Sequence, residues 1–399
     1  MRTIVLKEHQ RAAHPLAPAE LDQVLAAGVV DVRPTGAPGE YELHPGSTVG
    51  TVVLPSLRLL LRPKTPLSNL FFLLGFGKEL AWWKEPPFDY AEEPDLLRAV
   101  GWLLAAEIGR ALTAGLVHGY VETRDTLSTL RGRIDTAAQI RARQGRPYPF
   151  DCRFDEFTTD VELNRLVKAA IVQMLKVPEL DPALVRALRH HLRSFAEVSL
   201  VEYARATVPQ IAFTRLNAHW ETAARLARLV LANRTVADRE GGVAASSFTL
   251  NMNTLFERFV QRAVRRACRG GVEVLPNPPR PLMAGVQMHP DLVLRSHGRD
   301  VAVADVKYKL PENVAQATDL YQLLAYCTAL GLPSGTLIYA GTLAPSEGAV
   351  INSGIRLASV AIDLSQRPPD LLRQTEAVAR GLIAEVTAED PRARRTAAA

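Results

Sequence analysis

Cysteine is scarce in this chain. Cys152, Cys268 and Cys327 are odd in number and lack CxxC spacing, so the sequence indicates neither a disulfide framework nor a zinc module. A reducing, cytoplasmic setting fits that usage. Long apolar runs are missing as well. The most apolar stretch, Leu96–Val117, contains Arg98, Glu107 and Arg110; it reads as a buried amphipathic helix and argues for no membrane span. Met1–Arg11 has no apolar segment of the signal-peptide kind. Nucleotide-binding motifs are also lacking. Gly75-Phe76-Gly77-Lys78 looks superficially like a phosphate loop, but a Walker loop needs Gly where Phe72 stands and Ser or Thr where Glu79 stands.

Lysine is the most informative shortage, with 8 Lys against 39 Arg. Wherever a generic cation suffices, this sequence supplies Arg. A retained Lys therefore marks a place for a compact ammonium whose pKa shifts readily on burial. The 47% hydrophobic and 22% charged content is that of a folded globular protein. A formal charge of +5 is compatible with a polyanionic partner without requiring one.

The stretch from Val286 to Tyr326 carries the chemistry. Gln287–Arg295, containing His289-Pro290-Asp291, and Val301–Lys307 have the apolar and β-branched residues of strands. Ser296–Asp300, centred on Gly298, reads as the turn of a hairpin. Pairing Arg295 with Val301 sets Asp291 opposite Asp305 on one face. Like charges there repel, so the pair persists comfortably only with a cation between them or a proton on one. Lys307, two residues past Asp305, points to the same face. Carboxylate oxygens suit Mg2+, which takes one or two protein carboxylates and keeps several waters. Such an ion would polarise a phosphate and acidify a bound water, with Lys307 holding or deprotonating that water. The set is that of phosphodiester hydrolysis; the alternative is an ordinary exposed hairpin with scattered charges.

Other segments frame this core. Short strands are expected at Thr3–Leu6, Tyr41–Leu43, Val49–Leu54 and Leu57–Leu61, with helices at Pro18–Ala27 and Leu67–Gly75. Trp82-Trp83 is either core or a protein-contact hot spot. Asp95–Leu116 reads as a long helix and Tyr120–Thr123 as a brief strand. Leu130-Arg131-Gly132-Arg133 and Gln139–Arg146 form a basic cluster, either solvated or contacting phosphates or an acidic partner. Asp160 is placed to cap a helix over Val161–Leu175, and Asp181–Phe195 and Asn217–Asn233 follow as helices. His190-His191 cannot share a helix face and reads as surface. The polar break Asp238–Ser247 precedes a helix over Asn253–Arg269, apolar on one side and arginine-rich on the other. Glu257, at the edge of its apolar stripe, either joins the metal site directly or through water, or contacts Gln261 or an Arg within the helix. Ala315–Leu330 reads as a helix with Gln322 and Tyr326 at i and i+4 on one face. A strand at Leu337–Ala340 and a closing helix at Leu371–Val386 complete an α/β pattern.

The C-terminal third resembles the PD-(D/E)xK nuclease superfamily, and the Gln322–Tyr326 spacing is similar to the QxxxY motif of its RecB-like branch. Across roughly residues 45 to 345 the chain resembles the McrC family, the nuclease subunits of McrBC-type modification-dependent restriction systems. The resemblance is carried by Arg62-Pro63-Lys64, Leu130-Arg131-Gly132-Arg133, Asp155-Glu156-Phe157 ahead of Glu162-Leu163-Asn164-Arg165-Leu166, and Asn253-Thr254-Leu255-Phe256-Glu257. It implies Asp291, Asp305 and Glu257 as metal ligands or acidic residues of the site, Lys307 as catalytic lysine, and Gln322 with Tyr326 as supporting groups. It further implies Mg2+, double-stranded DNA and a McrB-type AAA+ GTPase ring on which the N-terminal region docks. The expected organisation is a strand-rich docking domain over 1–124, a helical middle region over 125–245, a nuclease domain with a mixed sheet over 246–388, and a disordered basic tail over 389–399. Two other functions remain open, a RecB-like stand-alone repair nuclease and a regulatory adaptor of an AAA+ ring.

Overall fold

A computed structural model describes residues 1–75, 95–144, 146, 148–237, 245–268, 272–309 and 316–389. Phe76–Lys78 of the glycine run, Trp82-Trp83, most of the break Asp238–Ser247, and the basic residues after Glu389 lie outside them. The chain is mixed α/β with several sheets. It divides into two units, one of Met1–Arg2, Thr51–Arg58 and Pro86–Thr249, the other of Thr3–Gly50, Leu59–Glu85 and Leu250–Ala399.

The elements begin with β1 (Arg2–Lys7), β2 (Ala12–Pro15), α1 (Pro18–Ala27), β3 (Asp31–Pro34), β4 (Glu40–His44), β5 (Thr48–Val53), β6 (Leu57–Arg62) and α2 (Leu67–Gly75). Proline at the first turn and left-handed Gly28 at the end bound α1 where the sequence places it. Strands β2, β4 and β3 form a small antiparallel sheet.

Then come α3 (Leu96–Leu112), β7 (Gly119–Leu127), β8 (Arg133–Ile134), α4 (Thr136–Arg143), β9 (Phe150–Thr158), α5 (Glu162–Leu175), α6 (Pro182–Arg193), α7 (Glu221–Asn233) and β10 (Arg234–Ala237). Asp95 caps α3, its carboxylate accepting from Leu97 N at 2.9 Å and Thr51 Oγ1 at 2.5 Å and pairing with Arg58. The brief strand at Tyr120 is a nine-residue strand paired along its length with β9, so a sheet stands where the sequence reads as helical. The arginines beside it are paired with acids: Arg133 with Glu122 at 3.0 Å and Arg131 with Glu156 at 3.7 Å. Asp160 does not cap α5. Val161 takes the cap position, while Asp160 accepts from Arg165 Nε and Nη2 and from Ser199 N and Oγ. His191 is half-buried rather than on the surface, and burial lowers its pKa.

The last third is β11 (Ala245–Asn251), α8 (Met252–Ala267), β12 (Val272–Pro276), β13 (Arg280–Met283), β14 (Val286–Met288), β15 (Leu292–Ser296), β16 (Arg299–Lys307), α9 (Ala317–Leu330), β17 (Ser334–Ala340), β18 (Ser346–Ala349), β19 (Arg356–Ile362) and α10 (Pro368–Glu389). A six-stranded mixed sheet runs in the order β12-β15-β16-β17-β19-β18. Strands β16, β17 and β19 are parallel, and the others antiparallel to their neighbours. Helix α9 packs on one face of the sheet through Leu323, Tyr326 and Cys327, against Val293, Val303, Leu337 and Tyr339. Tyr308 projects from the opposite face, toward Phe256 of α8.

Candidate active site

Two neighbouring strands and two helices bring the predicted residues together. Leu292 pairs with Ala304, Val293 with Val303 and Leu294 with Ala302, and one further step in that register sets Asp291 level with Asp305. The expected register therefore holds at the carboxylates, by a route the sequence did not reveal. The loop is a two-residue turn, His297-Gly298, with positive φ at both positions, as a type I′ turn requires. A bulge between Leu294 and Arg295 then restores the register. Asp300, read as loop, lies in β16 and pairs with Arg280 at 2.7 Å and Arg295 at 2.8 Å. Gln287–Arg295 is not one strand either; it breaks at His289-Pro290-Asp291 between β14 and β15.

Asp305 is almost wholly buried, its side chain 1% exposed, and its Oδ2 lies 2.6 Å from Lys307 Nζ. That oxygen receives no well-directed hydrogen bond among the described residues, so the lysine meets it as a charge contact. Asp291 Oδ2 accepts from Val306 N at 2.7 Å. Burial, then the charge of Asp305, with Glu257 adding, push the Asp291 pKa up to about 7 despite that donor. For Lys307, burial works against the charge, but the contact and charge of Asp305, with Asp291 and Asp319 behind it, raise the pKa. Those carboxylates favour the charged ammonium.

Gln322 serves this lysine through its amide. Its Oε1 accepts from Lys307 Nζ at 3.0 Å, its Nε2 donates to Tyr326 OH at 2.6 Å, and that hydroxyl reaches the His289 carbonyl at 3.5 Å. The i, i+4 spacing on α9 stacks the two side chains over β16. Glu257 stands one layer back. Its Oε1 accepts from Gln261 Nε2 at 2.9 Å and Asn277 Nδ2 at 2.6 Å, and Gln261 Nε2 also donates to the Asp291 carbonyl at 2.9 Å. The intrahelical contact with Gln261 thus forms, and through it Glu257 is tied to the backbone of Asp291. Among the described residues, no three His, Cys, Asp or Glu side chains gather as a ready-made ion cage. Exposed Arg258, Arg265 and Arg266 line the polar side of α8.

Sequence reasoning missed Asn277 and Asp319. Asn277 adopts positive φ and donates its N–H to the Asp291 carbonyl at 3.2 Å; its setting in Pro276-Asn277-Pro278 was the available signal. Asp319 is buried on α9 and accepts from Lys309 Nζ at 2.8 Å and Tyr339 OH at 2.7 Å. Lys309 is one of the few lysines, and Asp319 lies one helical turn before Gln322.

Comparison with known proteins fits this assembly. The chain is 19% identical over 296 residues to the Type IV methyl-directed restriction enzyme EcoKMcrBC of Escherichia coli (strain K12), covering 69% of this chain and 84% of that protein. It shares its fold with a chain of the tetradecameric Thermococcus gammatolerans assembly of McrB AAA+ hexamers with bound McrC. The TM-score is 0.60 at 19% identity, over 94% of this chain and 100% of the other. The family model of the McrBC 5-methylcytosine restriction system component matches residues 43–340. That match spans well over half of the 399 residues and takes in Asp291, Asp305, Lys307, Gln322 and Tyr326, so the chain belongs to the McrBC 5-methylcytosine restriction system component family.

Proposed function

We propose that this chain is the endonuclease subunit of a methylcytosine-directed restriction complex. In this reading, residues 246–388 form a PD-(D/E)xK nuclease domain that hydrolyses phosphodiesters of double-stranded DNA with Mg2+. It does so when bound to a McrB-type AAA+ GTPase ring whose hydrolysis it stimulates. The observation that carries the reading is the pair of carboxylates, Asp291 and Asp305, held level beside Lys307. Family membership supports the restriction setting.

The residues fit a magnesium ion. A buried carboxylate beside a half-buried one needs a proton or a cation, and the raised Asp291 pKa expresses that need. Asp305 Oδ2, buried without a directed donor, retains lone pairs for a ligand bond. Asp291 and Asp305 would hold the ion, with Glu257 behind them, which suits Mg2+ because it keeps most of its waters. Bound there, Mg2+ would supply Lewis-acid polarisation of the phosphate and a more acidic water.

The chain's own groups do the rest. Lys307, as an ammonium, donates to the attacking water or a phosphate oxygen and offsets charge that develops in the transition state. Gln322 and Tyr326 touch the lysine and each other, so they are positioning residues that restrict where Nζ sits.

The test is reconstitution with the ring partner, GTP, Mg2+ and methylated DNA. Asp305→Ala should lose about a hundredfold or more of cleavage, since several kcal/mol of charge stabilisation disappear. It should still stimulate GTP hydrolysis. Normal cleavage by Asp305→Ala would overturn the mechanism, and a wild type that stimulates GTPase but never cuts would make the chain an adaptor.

A further inference from the structure

At the carboxyl ends of β16, β17 and β19 lies a cavity of about 140 Å³. Open α/β sheets characteristically bind ligands beyond the carboxyl ends of their parallel strands. The volume is below the roughly 300–1,000 Å³ of pockets that enclose a whole ligand, so a single group fits better than a nucleotide. Two of the chain's eight lysines, Lys64 and Lys309, line it, together with His9.

The donors are available, and the acid of the lining, though still charged, has its oxygens engaged by neutral donors. Lys309 Nζ uses two protons, on Gln316 Oε1 and Asp319 Oδ1, each at 2.8 Å, which leaves a third. Lys64 Nζ has no hydrogen-bond or ion-pair partner among the described residues. Asp363, the acidic residue of the lining, already accepts from Ser365 N at 2.9 Å, Ser365 Oγ at 2.6 Å and Gln366 Nε2 at 2.7 Å.

Lys64 is also held in place at some cost. Its backbone N–H donates to Glu8 Oε1 at 2.5 Å, and Tyr308 OH donates to the same oxygen at 2.7 Å, with Thr65 Oγ1 3.4 Å from that hydroxyl. Glu8 is wholly buried, an expensive place for a carboxylate. What it secures is the position of Lys64 against the residue that follows Lys307.

We propose that this cavity seats a backbone phosphate of the DNA strand next to the reacting one, with Lys64, Lys309 and His9 as donors. Lys309 lies two residues past Lys307, about 7 Å along the strand direction, so DNA held there leads directly into the candidate site. The proposal rests on the nuclease reading above.

It is tested by measuring duplex DNA binding by the full chain in EDTA, by fluorescence anisotropy, over a series of salt concentrations. Lys64→Gln should weaken binding several-fold on methylated and unmethylated duplexes alike and reduce the salt slope by about one. Lys64→Arg, which keeps the charge, should restore most of the slope. If the wild type binds DNA and cuts it with its partner, yet Lys64→Gln keeps the wild-type slope, the phosphate seat is wrong and the nuclease reading stands. If the wild type cuts DNA with its partner but does not bind it alone, the phosphate seat is wrong and the nuclease reading stands; if it neither binds alone nor cuts with its partner, both fall.

Discussion

Replacing Gln322 by Ala removes the acceptor that fixes Lys307 Nζ while leaving Asp291 and Asp305 untouched. Cleavage by the reconstituted complex should fall about tenfold or more, as for outer-layer residues of metal sites, with the loss in kcat and not in KM. Gln322→Glu should retain more activity, because it keeps an oxygen for the lysine. A different residue controls stability at low pH. Arg165, with Ser199, holds the Asp160 carboxyl well below the usual carboxylate range. A depressed folded-state pKa contributes stability above the unfolded value of about 4 and loses it as pH falls through the folded value. Asp160→Asn should therefore melt lower than wild type at pH 7. Exposure limits the pair's contribution to about 1 kcal/mol, and the gap should close below about pH 4 in thermal melts.

Helix α9 is the element whose position matters most, and Gly335 sets it. A Cβ at Gly335 would stand 2.6 Å from Cys327 Sγ and 2.9 Å from Leu323 Cδ1, both on α9. Gly335→Val should cost about 1–3 kcal/mol by overpacking in chemical denaturation. It should also lower cleavage more than an equally destabilising change in α6, because it lifts Gln322 and Tyr326 from β16. How far such elements were legible differs from case to case. Helix α1 was legible because a proline and a glycine mark its ends, and Gln322 and Tyr326 because helical spacing alone stacks them. The facing of Asp291 and Asp305 came from period-two alternation, but the turn did not. A bulge between Leu294 and Arg295 offsets the shorter loop, and no residue type announces a bulge of this kind. The β7–β9 sheet was hidden because β7 buries no residue and Tyr120 and Phe157 face solvent, so no clean buried alternation marks the pair. Asp160 showed that an acid two residues before a helix does not cap it when an Arg five residues on competes for it.

For the whole molecule, the proposed division of labour leaves nucleotide hydrolysis to a partner. The isolated chain should neither degrade linear DNA from its ends nor cut circular DNA, and circular DNA should be cut once the ring partner, GTP and Mg2+ are added. End-dependent degradation by the chain alone would point instead to a stand-alone repair nuclease. The bond between Tyr308 and Glu8 carries a further consequence, for synthesis. It spans 300 residues of sequence, so the surroundings of Lys307 combine the turn after the first strand with a segment from the last third. Contacts of such separation close late because the intervening chain must first be made and ordered. A nascent chain on the ribosome has no finished candidate site until most of the polypeptide has emerged, and a fragment beginning after residue 8 would lack the carboxylate that holds Tyr308 and Lys64.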